Sequence, residues 1–564
     1  MAKTQEARIK KWEDRIRSAN KVYKKWDERF DTSKLEDYYL GRQWYGISED
    51  EAQKRYVINL FFSTIETNKP SLIFQNPQVR MSVKPAIADD LLSVSQERVQ
   101  LCQDTVQSFI DDPDLGFVEE TSLALHEAHF RFGVVEVGYT SDWIDNPNAG
   151  KPMLKEKPSD EAQSADEEDA AEPEGEAEID SDGKPVMHPD RLIQSEQLFI
   201  KRIPADTFRV SMSSKNRHSQ NDWSGYFEWH YVEDIKANPL YEKGARGLKA
   251  SGTLLDELKE DGDNEEDREE KNGMVKVWKI WDHRSMTRKV IAEGHKKFLL
   301  EGVPYKFSPF AFLRLYPVLN SFYPCPAASQ WLGPQDEINE TRDAQRAHRQ
   351  RFYRRFTRMK GAIDDHEMEK LETGGDGTCA ISNVPNPIQE VPLAPMGGDV
   401  WSHLDASKQD FITVSGVSDD QRGVAGSETA TQANIIDKRT QLSEASARSK
   451  VQAWLAEISR LMLMTIREDM ALPFWIKRNV DIAAIEANQG SEVMRVATIW
   501  DEFSAEDLGT SDVEVSIDLS TMSPVAEEQE RNAWNQILGL LTNPQLMMVL
   551  GLSPALLKKT LRLY

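Results

Sequence analysis

Two short patterns in this sequence contain residue types that could perform chemistry, and neither has the spacing that its chemistry requires. His126-Glu127-Ala128-His129 resembles part of the zinc protease motif, in which two histidines four residues apart bind the metal from one helical face. Here the histidines are three residues apart, so we interpret them as two histidines on the surface of a helix. The glycine-rich segment 416–429 contains no lysine, so it lacks the side chain with which a phosphate-binding loop reaches its nucleotide.

The other signatures of catalysis are also missing from the sequence. It contains no G-x-S-x-G nucleophile motif and no convincing arrangement of cysteine with histidine. Acidic pairs such as Asp364-Asp365 and Asp419-Asp420 occur in a chain with 94 Asp and Glu residues, and exposed turns are the favoured interpretation of such pairs. The sequence therefore predicts a structural protein with no catalytic residues, cofactor or metal site. A nucleic-acid-processing enzyme with an unrecognised site is an alternative.

Length and composition predict a protein of several domains without membrane segments. The chain has 564 residues, which exceeds the usual size of one domain. Its mean hydropathy is −0.59, and no run approaches the ~20 apolar residues of a membrane helix. The N-terminus lacks the apolar core of a signal peptide. Cys102, Cys325 and Cys379 are far apart and odd in number, which argues against disulfides and thiolate zinc sites and favours a reducing compartment.

The acidic charge limits how this protein could contact nucleic acid. A formal net charge of −25 argues against a surface that grips nucleic acid over its whole extent. It is compatible with a protein that surrounds DNA without gripping it. An acidic wall repels phosphates over a screening length of roughly 10 Å at 0.1 M salt, so such a lining favours sliding over adhesion.

Two long helices are expected to organise the chain, and the first is predicted at 331–356. Gly333-Pro334 opens it, and Asp336 and Glu337 lie in its first turn, where carboxylates suit the helix dipole. It carries so few large apolar residues that we infer it is not buried in its own chain but packs against copies of itself. The charged residues predicted to pair between subunits are Asp336, Glu340, Arg342, Arg346 and Arg349. A nucleic-acid patch formed by its arginines is the alternative.

The second long helix is predicted from residues 427–429 to Met470, with Thr429 and Gln432 as a capping box. Its first half, as far as Arg448, is rich in small and polar residues, so neighbouring segments can approach it closely. Its second half carries an apolar stripe at helical spacing: Val451, Leu455, Ile458, Met462 and Ile466. We therefore expect one end in a globular core and the other in polar surroundings.

The remaining segments predict an α+β fold, with helices first and strands later. Helices are expected at 2–40, 56–72 and 397–415, and two helices hinged at 111–116 are expected within 93–132. Strands are expected at 79–83, 134–139, 198–203, 208–211, 226–231, 275–281, 289–291 and 513–518. The last of these strands could rejoin the first domain. Two acidic stretches, at about 146–189 and 256–270, have almost no large apolar residues and are expected to be solvated, mobile insertions.

Four blocks carry a resemblance to a known family. They are NLFFSTIETNKPSLIFQNPQVRMSVKP, the strand of RFGVVEVGY, QDEINETRDAQRAHRQRF and SGVSDDQRGVAGSETATQANIIDKRTQLSEASARSK. In this order, which covers most of residues 56–521, the chain resembles the portal (head-to-tail connector) proteins of tailed bacteriophages. The resemblance implies a ring, usually of twelve subunits, at one vertex of the capsid.

The resemblance assigns each segment to a part of the portal subunit. The parts are the wing (1–325), the first stem helix (326–358), the clip (359–396), the second stem helix (397–415), the channel loop (416–426), the long channel-lining helix (427–470), a return to the wing (471–523) and the crown helices (524–564). The sequence stops inside an amphipathic pattern, which is compatible with a longer natural C-terminus.

The resemblance also implies a function and a set of partners. The ring would conduct double-stranded DNA, without sequence specificity, during packaging, retention and ejection, and would have no enzymatic activity of its own. Its partners would be further copies of the chain, the large terminase docking on the clip, a head-completion or tail adaptor protein, and the major capsid and scaffolding proteins. It would act in the host cytoplasm during assembly and then in the virion, with no membrane partner.

The channel loop supplies the residues expected to lie near DNA: Gly416, Arg422, Gly423 and Gly426. Its glycines permit a mobile loop. Arg422 is the candidate for a phosphate-facing side chain, and an ordinary exposed loop arginine is the equal alternative. A scaffold or adaptor that assembles through the same helices without passing DNA is the second functional reading.

Overall fold

The protein is described from a computed structural model. The described residues are 2–73, 75–83, 92–147, 149, 191–214, 221–241, 243–250, 273–351, 356–375, 377–391, 398–417, 430–481, 496–509 and 513–518. The acidic insertion expected at 256–270 and the crown helices expected at 524–564 lie outside these residues. So do residues 418–426 of the channel loop, and all of 146–189 except 146, 147 and 149.

The described residues fold into helices and antiparallel strands, which confirms the predicted α+β class. The helices are α1 (Ala2–Phe30), α2 (Thr32–Tyr39), α3 (Glu49–Lys54), α4 (Leu60–Leu72), α5 (Leu92–Ile110), α6 (Phe117–Phe130), α7 (Val232–Ala237), α8 (Leu332–Arg351), α9 (Asp365–Thr373), α10 (Gly398–Ser415) and α11 (Ala430–Asp469). None of them combines the length and apolar character needed to cross a bilayer.

The strands of the described residues pair in five sheets. They are β1 (Gln78–Val83), β2 (Gly133–Asp145), β3 (Arg191–Arg202), β4 (Phe208–Val210), β5 (Trp223–Tyr231), β6 (Met274–Asp282), β7 (Thr287–Ala292), β8 (Phe298–Pro304), β9 (Phe310–Leu313), β10 (Phe356–Arg358), β11 (Ile388–Glu390), β12 (Phe474–Asp481), β13 (Val496–Phe503) and β14 (Val513–Asp518). The larger sheets have the orders β3-β2-β9 and β4-β5-β6-β7-β8, and the two-stranded ones are β1-β14, β10-β11 and β12-β13.

The N-terminal helix α1 covers the five-stranded sheet with a stripe of large apolar residues. Ile9, Trp12 and Ile16 recur at helical spacing and are buried in one cluster with Trp223 and Trp278 of the sheet. The rings of Trp12 and Trp223 meet edge to face, with centroids 5.9 Å apart, a favourable geometry for aromatic pairs. The sequence pattern of this helix therefore reflects a real core face.

The largest core joins segments that are far apart in the sequence. The second half of α11 packs there with α5, α6, the three-stranded sheet and the β1–β14 pair. β1 and β14 are antiparallel, with Gln78 opposite Asp518 and Val83 opposite Val513. The strand predicted at 513–518 is thus confirmed, and it returns the chain to its N-terminal part.

The structure corrects the bounds of three predicted helices. The helix predicted at 2–40 is divided into α1 and α2 at Asp31, whose φ is +48°. The helix predicted at 331–356 ends by Arg351 within the described residues, and the chain is a strand at Phe356 because β10 pairs with β11. The helix predicted from residue 56 begins at Leu60, because the Asn59 side chain accepts a hydrogen bond from the Phe62 N–H and caps the first turn. Helix α9 and the β12–β13 hairpin were not predicted.

Candidate functional site: the α8, α10 and α11 helices

Helix α8 is held in its own chain by polar side chains spaced one helical turn apart. The side-chain oxygens of Gln335, Asn339 and Asp343 accept hydrogen bonds of 3.0–3.3 Å from alternate backbone N–H groups of the extended segment 56–60. Four helical residues rise ~6 Å and two extended residues ~6.6 Å, so the two periods match. We call these three residues and their contacts the polar ladder.

Further hydrogen bonds complete the polar ladder. The Gln335 side chain donates to the Ile58 carbonyl at 2.6 Å, and the Asn339 amide donates to the Gln43 side chain at 2.5 Å. Asp343 also pairs with Arg55. All three ladder residues are buried, and burial of polar groups is tolerated because each is hydrogen-bonded. The inference that α8 is too poor in apolar residues to be buried in its own chain is wrong for this half of the helix.

The polar ladder has a sequence pattern from which its burial could have been predicted. Gln335, Asn339 and Asp343 follow an i, i+4, i+8 pattern, which places them on one face of a helix. A search for apolar stripes alone does not detect a polar face of this kind. Long amide and carboxylate side chains at helical spacing are therefore a recognisable candidate for docking an extended segment.

Replacing Asn339 by leucine is expected to destabilise the chain by about 2–4 kcal/mol, because the partly buried Ile58 N–H and the buried Gln43 side chain each lose a hydrogen-bond partner. Thermal or urea unfolding measures the change, and hydrogen exchange at the Ile58 amide localises it. Ala344→Leu is the matched control, since residue 344 is exposed on the same helix and should change stability by less than about 0.5 kcal/mol. Equal effects of the two substitutions would contradict the role of the ladder.

The residues predicted to pair between subunits lie in different environments. Asp336 accepts a hydrogen bond from the Tyr38 hydroxyl at 2.5 Å, and burial together with this bond raises the tyrosine pKa. Arg342 donates to Gln345 at 2.8 Å, and Arg346 donates to the Lys54 carbonyl at 2.8 Å. Glu340 and Arg349 are exposed. Three of the five predicted residues thus make contacts within the chain, and pairing between subunits stays a prediction.

Helix α10 lies beside α8 and is amphipathic. Its Leu404 and Phe411 are buried, and the Phe411 ring lies 6.3–6.4 Å from those of Phe61 and Trp331. Trp401, at the edge of this buried face, is about half exposed.

The segment between α8 and α10 forms a small unit of mixed structure. The β10–β11 pair and α9 make up most of its described residues, and α9 has no buried residue. Met359 and Ile381 are largely exposed. The described part of this unit therefore has little core of its own and leaves apolar side chains exposed.

The predicted channel loop begins at a well-defined helix end. Gly416 has a φ of +74°, and its N–H donates to the Ile412 carbonyl at 2.9 Å, which is how a glycine terminates a helix. A cavity of about 100 Å³ adjoins Gly416 and is lined also by Ser446 and Lys450 of α11. Arg422, Gly423 and Gly426 lie outside the described residues.

Helix α11 has 40 residues and is therefore ~60 Å long. The predicted apolar stripe of its second half is fully buried: Val451, Leu455, Ile458, Met462 and Ile466. The prediction of a core face is confirmed. The side chains of residues 430–444, which make up most of the predicted small and polar half, lie outside those described.

The histidine pair on α6 is a packing feature. His129 is only 3% exposed, so its interpretation as a surface residue is wrong, because α6 is packed between α4 and the three-stranded sheet. The His129 Nδ1–H donates to the Leu125 carbonyl at 2.9 Å, and the His126 ring lies 4.8 Å from that of Tyr39. Within the described residues, no group of three or more His, Cys, Asp or Glu side chains could hold a metal.

Acidification is expected to destabilise the fold through His129. Its pKa is lowered to about 4, chiefly by burial and with smaller contributions from the charges of His126 and Lys69, which together outweigh the opposing hydrogen bond to the Leu125 carbonyl. The unfolded chain, with a histidine pKa of about 6.5, then binds more protons than the folded chain between pH 4 and 6.5. The stabilisation is complete above about pH 6.5 and is lost as the pH falls towards 4. In the His129→Gln variant, the unfolding temperature should depend less on pH between 4 and 6.5. An unchanged dependence on pH would exclude His129 as the cause of the destabilisation by acid.

Comparison with known proteins does not assign the chain to a family. No family model matches it, and no curated protein matches it. A chain from the virion of a native gene transfer agent particle is similar in structure, with a TM-score of 0.40 and 10% identity over 93% of this chain and 94% of that chain. At this TM-score the similarity does not establish a shared fold, so any functional assignment depends on the residues of this chain.

Proposed function

We propose that this chain is the subunit of a phage portal, a ring at one capsid vertex through which double-stranded DNA is packaged, retained and ejected. The observation that carries the proposal is the order of elements from α8 to α11. A helix, a small α/β unit, a second helix, a glycine-bounded connection and a 40-residue helix follow one another. The portal family has the same order of stem, clip, stem, channel loop and channel-lining helix.

The packing of the two proposed stem helices supports this reading. The polar ladder holds α8 against the N-terminal part of the chain. Phe411 holds α10 there, because it is buried in one cluster with Leu35 and Phe61. Glu340, Arg349 and Trp401 are exposed on these helices. Arginine and tryptophan are enriched at interfaces, and Glu340 and Arg349 have opposite charges that could complement each other between copies, so these helices would meet their copies in the ring.

The buried second half of α11 supports a role as a fixed wall of the channel. Its apolar stripe anchors the helix in the largest core, so the first half and the loop after Gly416 would be held at a defined position around DNA. The net charge of −25 disfavours adhesion to phosphates. Arg422, Gly423 and Gly426 of the loop are the residues proposed to come closest to the duplex.

The proposed partners follow from the same assignment. The clip, with exposed Met359 and Ile381, would receive the large terminase and later the head-completion or tail adaptor protein. The major capsid and scaffolding proteins would contact the wing. The protein would act without catalysis, first in the host cytoplasm and then in the virion.

Electron microscopy and mass measurement of the purified chain test the proposal. A ring with a central channel is expected, and twelve copies of a 64.3-kDa chain would have a mass of about 770 kDa. Filaments or solid assemblies would favour a scaffold or adaptor, and a compact monomer at high concentration would overturn the assignment. Metal-dependent nuclease or ATPase activity that is lost on changing clustered carboxylates would instead identify an enzyme.

A further inference from the structure

A cleft outside the stem helices has the features of a binding site. It has a volume of about 640 Å³ and lies between the three-stranded and five-stranded sheets, beside the end of α11. This volume falls within the range of about 300–1,000 Å³ that is typical of ligand sites in proteins. The strands and helix around it come from four distant parts of the chain, so no local sequence pattern announces it.

One wall of the cleft is an open strand edge. β3 pairs with β2 as far as Asp145, whereas β9 pairs with β2 only over Gly133–Glu136. The Val137 N–H adds one bond to the Pro309 carbonyl at 2.9 Å. Alternate residues of a strand direct their backbone groups to the same neighbour, so Tyr139 and Ser141 also direct theirs away from β3. Among the described residues, no backbone partner is present for these groups.

Above this edge lies a guanidinium without an anionic partner. Arg288 lines the cleft, with its Cζ 5.1 Å from the centre of the Trp281 ring. Within the described residues its Nε is buried without a hydrogen bond, and no carboxylate lies within ion-pair distance of the side chain. The nearby Lys279 and Lys201, by contrast, each donate to Glu228 at 2.5 Å. A guanidinium in this setting suits the planar, two-oxygen geometry of a carboxylate.

The carboxylate of Glu136, at the floor of the cleft, does not form an ion pair with Arg288. Glu136 is 6% exposed and accepts a hydrogen bond of 2.7 Å from the Tyr226 hydroxyl. Burial is the largest cause that raises its pKa, against the opposing effects of the Tyr226 hydrogen bond and of nearby Lys279 and Arg288. The cleft is also lined by Glu468, which pairs with Lys306, and by Asp469. Within the described residues none of these three carboxylates lies within ion-pair distance of Arg288, so a carboxylate from another molecule can pair with it.

We propose that the cleft receives an extended, acidic segment of a partner protein, which adds a strand to β2 along residues 137–141 and places a carboxylate against Arg288. Strand addition supplies backbone hydrogen bonds, and the side-chain pockets supply selectivity. Five residues of β2 span ~17 Å, enough for a short segment of the partner. This proposal does not depend on the proposed portal function, since it uses none of the stem, clip or channel residues.

Peptide binding to the full 564-residue chain tests the proposal. The probe is an acetylated, amidated hexapeptide of alternating valine and glutamate, and its glutamine counterpart is the control. We expect saturable binding of the acidic peptide, at least tenfold weaker binding of the glutamine peptide, and at least a tenfold loss with Arg288→Gln. Arg284→Gln is the matched control, because Arg284 lies in the adjoining turn and is exposed. No saturable binding, or an Arg288→Gln protein that binds normally, would overturn the proposal.

A second measurement identifies the strand edge. Hydrogen exchange at Tyr139 and Ser141 should slow when the peptide binds. Ser141→Pro should weaken binding while the chain stays folded, since proline there removes the backbone donor on the open edge, and the hydroxyl lost with it accepts an exposed hydrogen bond from Trp143 Nε1. Equal binding of free glutamate or phosphate without amide protection would show a small-anion site and refute strand addition. Protection of the same amides by self-association, without peptide, would show that the occupant is a second copy of the chain and refute the partner.

Discussion

Replacing Leu455 by aspartate is expected to prevent the chain from folding. Leu455 is fully buried at the centre of the α11 stripe, in the core shared with α5 and the β1–β14 pair. A carboxylate there loses its hydration, and its burial costs several kcal/mol even when it is neutralised. Because total stability is only about 5–15 kcal/mol, we expect little soluble protein and no cooperative thermal transition.

Two further substitutions separate the effect of the buried position from the effect of introducing an aspartate into α11. Ala453→Asp places the same residue on the exposed side of α11 and should change the free energy of unfolding by about 0.5 kcal/mol or less. Leu455→Ala keeps an apolar residue but leaves a cavity, and should cost about 2–5 kcal/mol. Soluble yield, circular dichroism and thermal unfolding measure all three. A folded Leu455→Asp protein with a near-normal unfolding temperature would refute the assignment of this face to the core.

Charge reversal on α8 is expected to dismantle the proposed ring without unfolding the subunit. Glu340 and Arg349 are exposed, and the proposed ring places them opposite charges on neighbouring copies. Glu340→Arg or Arg349→Glu would bring like charges together, which costs several kcal/mol at an interface and is repeated at every subunit contact. We expect the ring mass to fall to that of monomers or small oligomers in mass photometry.

The control for this prediction is Glu51→Arg, an exposed change of the same sign on α3, which should leave the ring intact. The double variant Glu340→Arg/Arg349→Glu should recover assembly in part if the two positions face each other. Unfolding temperatures of the isolated variants should stay within a few degrees of the parent chain. Rings that persist in both single variants would refute pairing through these residues.

The sequence predicted most of the elements correctly because their patterns are local. The apolar face of α11 shows the helical periodicity that burial requires, and the hinge between α5 and α6 contains proline and glycine. The strand at 513–518 was predicted from its alternation alone. The sequence suggested only that this strand could rejoin the first domain, and its pairing with β1 and the register from Gln78 to Val83 are set by the tertiary structure.

The sequence did not predict burial correctly where the buried residues are polar. The burial of α8 through Gln335, Asn339 and Asp343 depends on the segment 56–60, which lies more than 270 residues earlier in the chain. His129 was assigned to the surface because its spacing from His126 does not fit a zinc site, whereas the packing of α6 on both sides buries it. In each case the partner that satisfies the polar group lies outside any local window.

The amino-acid sequence alone determined the α+β class, the approximate positions of the principal helices and the apolar face of α11, the absence of a recognisable catalytic motif, and the order of elements on which the portal proposal depends. These follow from periodicity, turn residues and composition, which act over a few residues at a time. The tertiary structure decided which side of α8 is held within the chain, how α11 is anchored, and where the cleft beside β2 lies. Those features require contacts between distant segments, and only the folded chain brings their hydrogen-bonding and charged groups together.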